Sequence, residues 1–136
     1  PDLTHVFPTA ETLAGADPEV IGKLGIVRQR VKALQALATE LSEGRLALHR
    51  GAPIAATLQA LRALPGIGDW TAQVIAMRAL AWPDAWPASD IGLMNALGLA
   101  KDQRDPKHIT QLAEAWRPWR AYAVMKLWHH LEHPTE

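Results

Sequence analysis

Asp90 is the first residue of this chain whose type and setting suggest chemistry. It stands in the segment ASDIGLMNALG, where a helix is expected to span about residues 90–97. A fixed carboxylate can stabilise positive charge that develops on a substrate, or orient and deprotonate a water molecule. Serine and aspartate are also favoured at the start of a helix, so the pair could simply be a cap. The two roles are compatible if Ser89 caps the helix and Asp90 faces a cleft.

A glycine-rich turn, Pro65-Gly66-Ile67-Gly68, is the second such feature. It separates two predicted helices, at about 53–63 and 69–81. Glycine allows positive φ angles and lets another backbone come close. The N-terminus of the second helix presents unpaired N–H groups that can bind a phosphate. The same turn could instead serve only to pack two helices tightly, and the residues alone leave both interpretations open.

Composition limits the other kinds of site. The chain has no cysteine, which excludes disulfides, zinc–thiolate sites and a cysteine nucleophile. His129 and His133 have a spacing that suits a transition metal, but no third ligand is nearby in sequence, and a solvated helix end is favoured. The 14 basic and 14 acidic residues balance. Any binding to nucleic acid must therefore be local, through backbone amides and a few arginines.

Helices must position these residues, because no segment alternates apolar and polar residues as a strand does. Capping signals predict helices that begin after Thr9, Asp17 and Asp105. Apolar residues three and four positions apart predict an amphipathic helix within 26–42, and Pro118 interrupts the last helical region. The sequence therefore predicts one all-α domain over residues 1–136, built from about six to eight short helices.

The sequence also bears on location. No run of residues approaches the roughly 18 apolar residues of a membrane span, and no signal peptide is visible. We therefore expect a protein of the cytoplasm, in a bacterium the cytoplasm or nucleoid, with no membrane partner.

Longer segments resemble a known family. LPGIGDWTAQVIAMRAL followed by WPASDIGLMNALG is similar to the helix-hairpin-helix DNA glycosylases, and within them to the alkylation-repair type, DNA-3-methyladenine glycosylase II. AEAWRPWRAYAVMKLW near the end and PTAETLAGADPEVIGKLGIVRQRVKAL near the start match the same subfamily, in the same order. The resemblance covers nearly the whole chain and implies an all-α, helix-hairpin-helix glycosylase-type bundle.

The resemblance assigns roles to one acid and two tryptophans. Asp90 matches the catalytic aspartate of the family. Trp70 stands where bifunctional relatives carry a lysine that attacks the sugar, so the resemblance implies a monofunctional enzyme that uses water. Trp70 and Trp128 match aromatic residues that line the pocket for a base flipped out of the duplex. An indole face attracts an electron-poor, cationic alkylated purine such as 3-methyladenine.

The resemblance also implies how DNA is held. Gly66, Ile67, Gly68 and Thr71 match the hairpin that binds the backbone of the damaged strand, and the partner is double-stranded DNA with alkylated bases. In the family, hairpin carbonyls hold a structural monovalent cation. By position, these carbonyls belong to Arg62, Leu64 and Ile67. No cofactor is expected for catalysis.

The family pattern includes an upstream helical half that carries the residue wedged into the DNA, and this pattern is not found in the chain. We therefore expect that the chain is the C-terminal portion of a catalytic domain, which is incomplete without its upstream half. The face that the missing helices would cover could then form a dimer interface. The alternatives are a fragment inactive without its upstream half, a non-catalytic helix-hairpin-helix DNA-binding module, and an all-α interaction domain whose turn is only structural.

Overall fold

Eight α-helices and two short 3-10 helices are found in the computed structural model, which describes residues 2–134. No strand occurs within those residues, and the predicted all-α class is confirmed. The 3-10 helices are Lys101–Gln103 and Glu114–Trp116. The α-helices are α1 (Ala10–Gly15), α2 (Pro18–Gly22), α3 (Arg28–Ser42), α4 (Ile54–Arg62), α5 (Asp69–Arg78), α6 (Ile91–Ala96), α7 (Pro106–Ala113) and α8 (Arg120–Glu132).

Local side-chain chemistry sets where several helices begin. The side chains of Thr9, Asp17 and Asp105 each accept a hydrogen bond from a first-turn N–H of α1, α2 and α7, at 3.2, 2.9 and 3.2 Å. Pro18 and Pro106 are the first residues of α2 and α7. At this position an N–H has no partner within the helix, and the fixed φ of proline suits the helical conformation. These hydrogen bonds confirm the three predicted caps. The caps could be predicted because the signal for each lies within three residues of the helix start.

The chain divides into two compact units. The first comprises residues up to 48 together with 55–67, and the second comprises 49–54 and residues from 68 onward. In the first unit, α1 and α2 pack against α3. The side-chain amide of Gln35 on α3 donates to the carbonyls of Leu13 and Ala16, at 3.1 and 2.8 Å, which satisfies the C-terminal end of α1.

Gly66 has a structural reason to be glycine. Its φ is +77°, in the left-handed region that favours glycine. A Cβ at this position would lie 3.0 Å from Cβ of Ala33 on α3, within the first unit. The turn therefore needs Gly66 both for its conformation and for close packing against α3. This agrees with the interpretation in which the glycines serve tight helix packing.

The second unit has an apolar core around α6, α7 and α8. Trp86, which lies in the loop between α5 and α6, stacks edge-on against Trp116 with ring centroids 5.8 Å apart. The buried members of the core are Trp86, Leu93, Met94, Ile109, Ala113 and Val124. This core fixes α6 against α8, the two helices that carry Asp90 and Trp128 at or near their ends.

Helix α5 is shorter than the sequence predicts. The expected helix ran to about residue 81, but α5 ends at Arg78. The chain turns away through Ala81, which takes a left-handed φ of 53°, and the Trp82 N–H closes the turn on the Ala76 carbonyl at 3.1 Å. A helix stop of this kind usually has glycine, so an alanine there gave no signal in the sequence.

Among the described residues, no helix is both long and apolar enough to cross a membrane.

Candidate active site

Asp90 is itself the N-cap of α6. Its backbone is extended, with φ −70° and ψ 118°, and its Oδ2 accepts a hydrogen bond of 2.7 Å from the N–H of Leu93. The expectation that Ser89 caps this helix is therefore wrong. Ser89 lies one residue too early, on the exposed turn before the helix. The capping role and the predicted site role fall on the same carboxylate.

Two indoles converge on that carboxylate. Nε1 of Trp70, at the start of α5, donates to Oδ1 of Asp90 at 2.8 Å. Nε1 of Trp128, on α8, donates to Oδ2 at 3.0 Å. The three residues lie 20 and 38 positions apart in the chain, yet they share one hydrogen-bonded cluster within the second unit. Hydrogen bonds to an ionised carboxylate are shorter and stronger than neutral ones, so this arrangement fixes the orientation of the carboxylate.

The cluster is accessible from solvent. Trp70 is 41% exposed, although an indole of this size would ordinarily be largely buried. Asp90 and Trp128 are half-buried. A carboxylate held by N–H donors beside exposed aromatic surface can stabilise a cationic group next to a flat, electron-poor ring.

A buried ion pair positions the loop that leads to Asp90. Asp84 and Arg120 are only 7% and 5% exposed. The guanidinium of Arg120, at the start of α8, donates to both carboxylate oxygens of Asp84, at 2.8 and 2.9 Å. The backbone N–H groups of Arg120 and Ala121 add bonds to Asp84 Oδ1 and to the Pro83 carbonyl, at 3.3 and 2.9 Å. The loop before Asp90 is thereby joined to the helix that carries Trp128.

Two opposing effects act on Asp84. Burial by itself would raise the pKa of this carboxyl, but the hydrogen bonds and charge of Arg120, helped by the charge of Arg117, hold its pKa below the usual value. Arg117 donates to Asp84 at 3.1 Å and to Glu114 at 2.8 Å. Asp84 is therefore ionised at neutral pH and completes a buried, charge-paired clamp.

A second buried contact ties the same loop to α5. The side-chain carbonyl of Gln73 accepts a hydrogen bond of 2.9 Å from the backbone N–H of Trp86, and both residues are buried. Gln73 lies one helical turn after Trp70. This bond therefore joins the part of α5 that carries Trp70 to the loop that leads to Asp90. Neither Gln73 nor the Asp84–Arg120 pair was found from the sequence, because their partners are 13 and 36 residues away and no local pattern marks them.

The predicted DNA-binding turn is divided between the two units. Gly66 and Ile67 belong to the first, and Gly68 and Thr71 to the second. Gly68 is the N-cap of α5 with an ordinary extended backbone, φ −91° and ψ −174°, and supplies no side-chain cap. A Cβ at Gly68 would meet nothing within 4 Å, so the space beside the start of α5 is open.

The carbonyls predicted to hold a cation lie in the first unit. The Leu64 carbonyl accepts the N–H of Ile67 at 3.2 Å. A carbonyl oxygen has a second lone pair, so this bond still leaves Leu64 able to coordinate a cation. A monovalent cation on this carbonyl and on those of Arg62 and Ile67 stays a prediction.

The two histidines do not gain a third ligand. The rings of His129 and His133 lie 4.5 Å apart on successive turns at the end of α8. Within residues 2–134, no group of three or more histidine, aspartate or glutamate side chains could hold a metal ion. Both histidines are exposed, and the solvated helix end stays a prediction.

Comparison with known proteins identifies the family. The chain is 46% identical to a probable bifunctional transcriptional activator/DNA repair enzyme AlkA of Mycobacterium tuberculosis, over 98% of this chain and 26% of that protein. It is 36% identical to DNA-3-methyladenine glycosylase 2 of Escherichia coli, over 90% of this chain and 42% of that protein. The chain thus spans less than half the length of these relatives.

The fold is also that of a solved structure. Schizosaccharomyces pombe 3-methyladenine DNA glycosylase (Mag1), in complex with abasic DNA, matches with a TM-score of 0.70 and 22% sequence identity, over 90% of this chain and 62% of that one. A family model described as HhH-GPD superfamily base excision DNA repair protein matches residues 1–118. The chain therefore belongs to the HhH-GPD superfamily of base excision DNA repair proteins.

Proposed function

We propose that this chain supplies the active site of a monofunctional DNA glycosylase, which hydrolyses the N-glycosidic bond of alkylated purines such as 3-methyladenine in double-stranded DNA. The observation that carries the proposal is the carboxylate of Asp90 held by the indole N–H groups of Trp70 and Trp128, at 2.8 and 3.0 Å. Family membership and the names of the relatives support the same reaction class.

Breaking an N-glycosidic bond leaves positive charge on the sugar. In the proposed reaction, the Asp90 carboxylate lies beside C1′ and stabilises that charge as the base departs, and it orients the water that attacks. The water oxygen bonds to C1′ and its proton passes to the Asp90 carboxylate. The cationic purine takes the electron pair of the broken bond and leaves neutral, so an abasic site remains. No step requires a cofactor.

Trp70 favours one of the two glycosylase mechanisms. A monofunctional enzyme uses water, whereas a bifunctional one uses an amine to form a Schiff base with the sugar. An indole nitrogen carries no basic lone pair, and its N–H is already directed at Asp90. Trp70 therefore supports hydrolysis, and the product strand stays intact.

We propose that Trp70 and Trp128 also select the damaged base. Alkylation at a ring nitrogen gives a purine a positive charge, and an indole face attracts a cation by about 0.5–1 kcal/mol at an exposed site and by about 2 kcal/mol or more at a desolvated one. Recognition through charge tolerates several alkylated bases, because it does not depend on one hydrogen-bonding pattern.

For DNA binding we propose the turn residues Gly66, Ile67, Gly68 and Thr71. The open space at Gly68 supports this, because a phosphate can then approach the positive N-terminal end of α5. A monovalent cation on the carbonyls of Arg62, Leu64 and Ile67 would stabilise the turn.

Self-association through an apolar face stays a prediction.

A product analysis tests the proposed function. Duplex DNA that contains 7-methylguanine or 3-methyladenine is incubated with the protein, and free base and strand breaks are measured separately. We expect release of the methylated base, with strand breaks only after alkali treatment and no covalent complex trapped by borohydride. DNA binding without release of base would indicate a non-catalytic helix-hairpin-helix module or a fragment that is inactive without its upstream half. A borohydride-trapped complex would contradict the monofunctional mechanism.

A further inference from the structure

Gly92 occupies an unusual place beside the candidate site. It is the second residue of α6, two positions after the N-cap Asp90. A Cβ at this position would lie 2.9 Å from Oδ2 of Asp90 and 3.6 Å from Cδ1 of Trp128. It would also lie 3.5 Å from a methyl carbon of Leu131, which is an ordinary contact distance. Only the carboxylate oxygen is too close.

The backbone at Gly92 does not require glycine. The residue lies within an α-helix, and its φ is outside the left-handed region, unlike that of Gly66 or Gly98. Within a helix, glycine is the least favourable residue apart from proline. The space next to Asp90 is therefore the physical reason that remains for having no side chain here.

We propose that Gly92 is a positioning residue: the absence of a Cβ leaves room for Asp90 Oδ2 to accept the N–H groups of Leu93 and Trp128 together. This inference rests on the proposed function for its catalytic consequence, but not for its geometry. Asp90 Oδ2 accepts these two bonds at 2.7 and 3.0 Å, so a small displacement of the carboxylate lengthens at least one of them.

The consequence of adding a methyl group is specific. The atom that would have to move is the far end of the Asp90 side chain, and its movement weakens the bond from Leu93 or from Trp128. The higher helix propensity of alanine, about 1 kcal/mol, offsets part of that loss, so the Gly92→Ala variant should still fold. The displaced carboxylate should lower kcat/KM for base release by roughly tenfold to a hundredfold, the range expected for a lost hydrogen bond to a charged group.

Gly22 offers a matched control. It is also helical, at the end of α2, and a Cβ there would meet nothing within 4 Å. Gly22→Ala should therefore leave both the site and the reaction unchanged. A second reference is Asp90→Ala, which removes the carboxylate and shows how the Trp128 indole signal looks without its acceptor.

The test that does not depend on activity is an NMR measurement of the tryptophan indole N–H signals in the ¹⁵N-labelled protein. The Trp128 signal is assigned by its loss in Trp128→Phe. In Gly92→Ala we expect it to move toward its position in Asp90→Ala and to exchange faster with solvent, while the signal of the buried Trp86 stays in place. In Gly22→Ala all signals should stay in place. An unchanged Trp128 signal in folded Gly92→Ala would overturn the proposal.

A thermal double-mutant cycle covers the case in which Gly92→Ala is unstable. If the conflict is with the Asp90 carboxylate, the destabilisation should vanish when Gly92→Ala is made in an Asp90→Ala background. Equal destabilisation in both backgrounds would overturn the proposal. If the indole signal moves as expected but base release stays at the natural rate, the catalytic consequence is refuted. If the natural protein releases no base at all, the proposed function fails while the NMR result still decides the geometry.

Discussion

Replacing Arg120 by methionine tests the clamp that positions the loop before Asp90. Methionine has a similar length but no charge, so Asp84 would keep only the bonds from Arg117 and from a backbone N–H, in a place where it is 7% exposed. Removing one partner of a buried ion pair costs about 3–5 kcal/mol, and the bonds that Asp84 keeps from Arg117 and the backbone place the expected cost at the lower end of that range. For a domain of this size, that corresponds to a decrease in Tm of roughly 10–20 °C.

The effect of Arg120→Met should depend on pH in a defined direction. The pKa of Asp84 is lowered in the folded protein, so its contribution to stability is present above the unfolded pKa of about 3.9 and is lost as the pH falls through the lower folded value. Without the Arg120 guanidinium, only Arg117 and a backbone N–H still oppose the effect of burial, so the pKa of Asp84 rises. The gap in Tm between the natural protein and the variant should therefore be large at pH 7 and narrow below about pH 4.

Thermal unfolding followed by circular dichroism at several pH values measures both effects. Arg117→Met is the matched control, since the Arg117 side chain is 48% exposed and an ion pair of that kind contributes about 1 kcal/mol or less. The reasoning is refuted if Arg120→Met lowers Tm no more than Arg117→Met does, or if the gap in Tm is the same at pH 3.5 and pH 7.

Two further substitutions test a single hydrogen bond and a single backbone conformation. Trp128→Phe keeps an aromatic face but removes the N–H donor to Asp90, so kcat/KM for base release should fall roughly 10- to 100-fold. Trp119→Phe, at an exposed residue away from the cluster, should have no such effect, and equal losses in the two variants would argue against the hydrogen bond. Ala81→Gly relieves a left-handed φ of 53° and should raise thermal stability by about 1 kcal/mol or less, as measured by Tm. A lower Tm would show that Ala81 is not strained.

The sequence predicts the start of a helix where the signal is local. Asp17 and Asp105 act as caps because their side chains reach N–H groups two residues away. The end of α5 could not be predicted, because Ala81 takes a conformation that usually needs glycine. The sequence could not decide whether Ser89 or Asp90 caps α6, since two adjacent capping residues look alike until the backbone shows which one precedes the first turn.

In the candidate site, too, features without a local sequence signal could not be predicted from the residues alone. The roles predicted for Trp70, Asp90 and Trp128 came from resemblance to a family, and no spacing rule predicts that two indoles would meet one carboxylate from 20 and 38 residues away. The clamp between Asp84 and Arg120 joins residues 36 apart and had no signal in the sequence. Such contacts depend on how the helices of the second unit pack, and a single sequence does not specify this packing residue by residue.

The rate of base release by Asp90→Asn in a single turnover tests the central claim most directly. Asparagine is as good an N-cap as aspartate, so α6 should begin as before and the variant should still bind duplex DNA. It has no negative charge, however, and its amide group cannot accept hydrogen bonds on both sides. We expect release of 3-methyladenine from duplex DNA to be slower by about 100-fold or more. Release at the natural rate by a folded, DNA-binding Asp90→Asn protein would contradict the account.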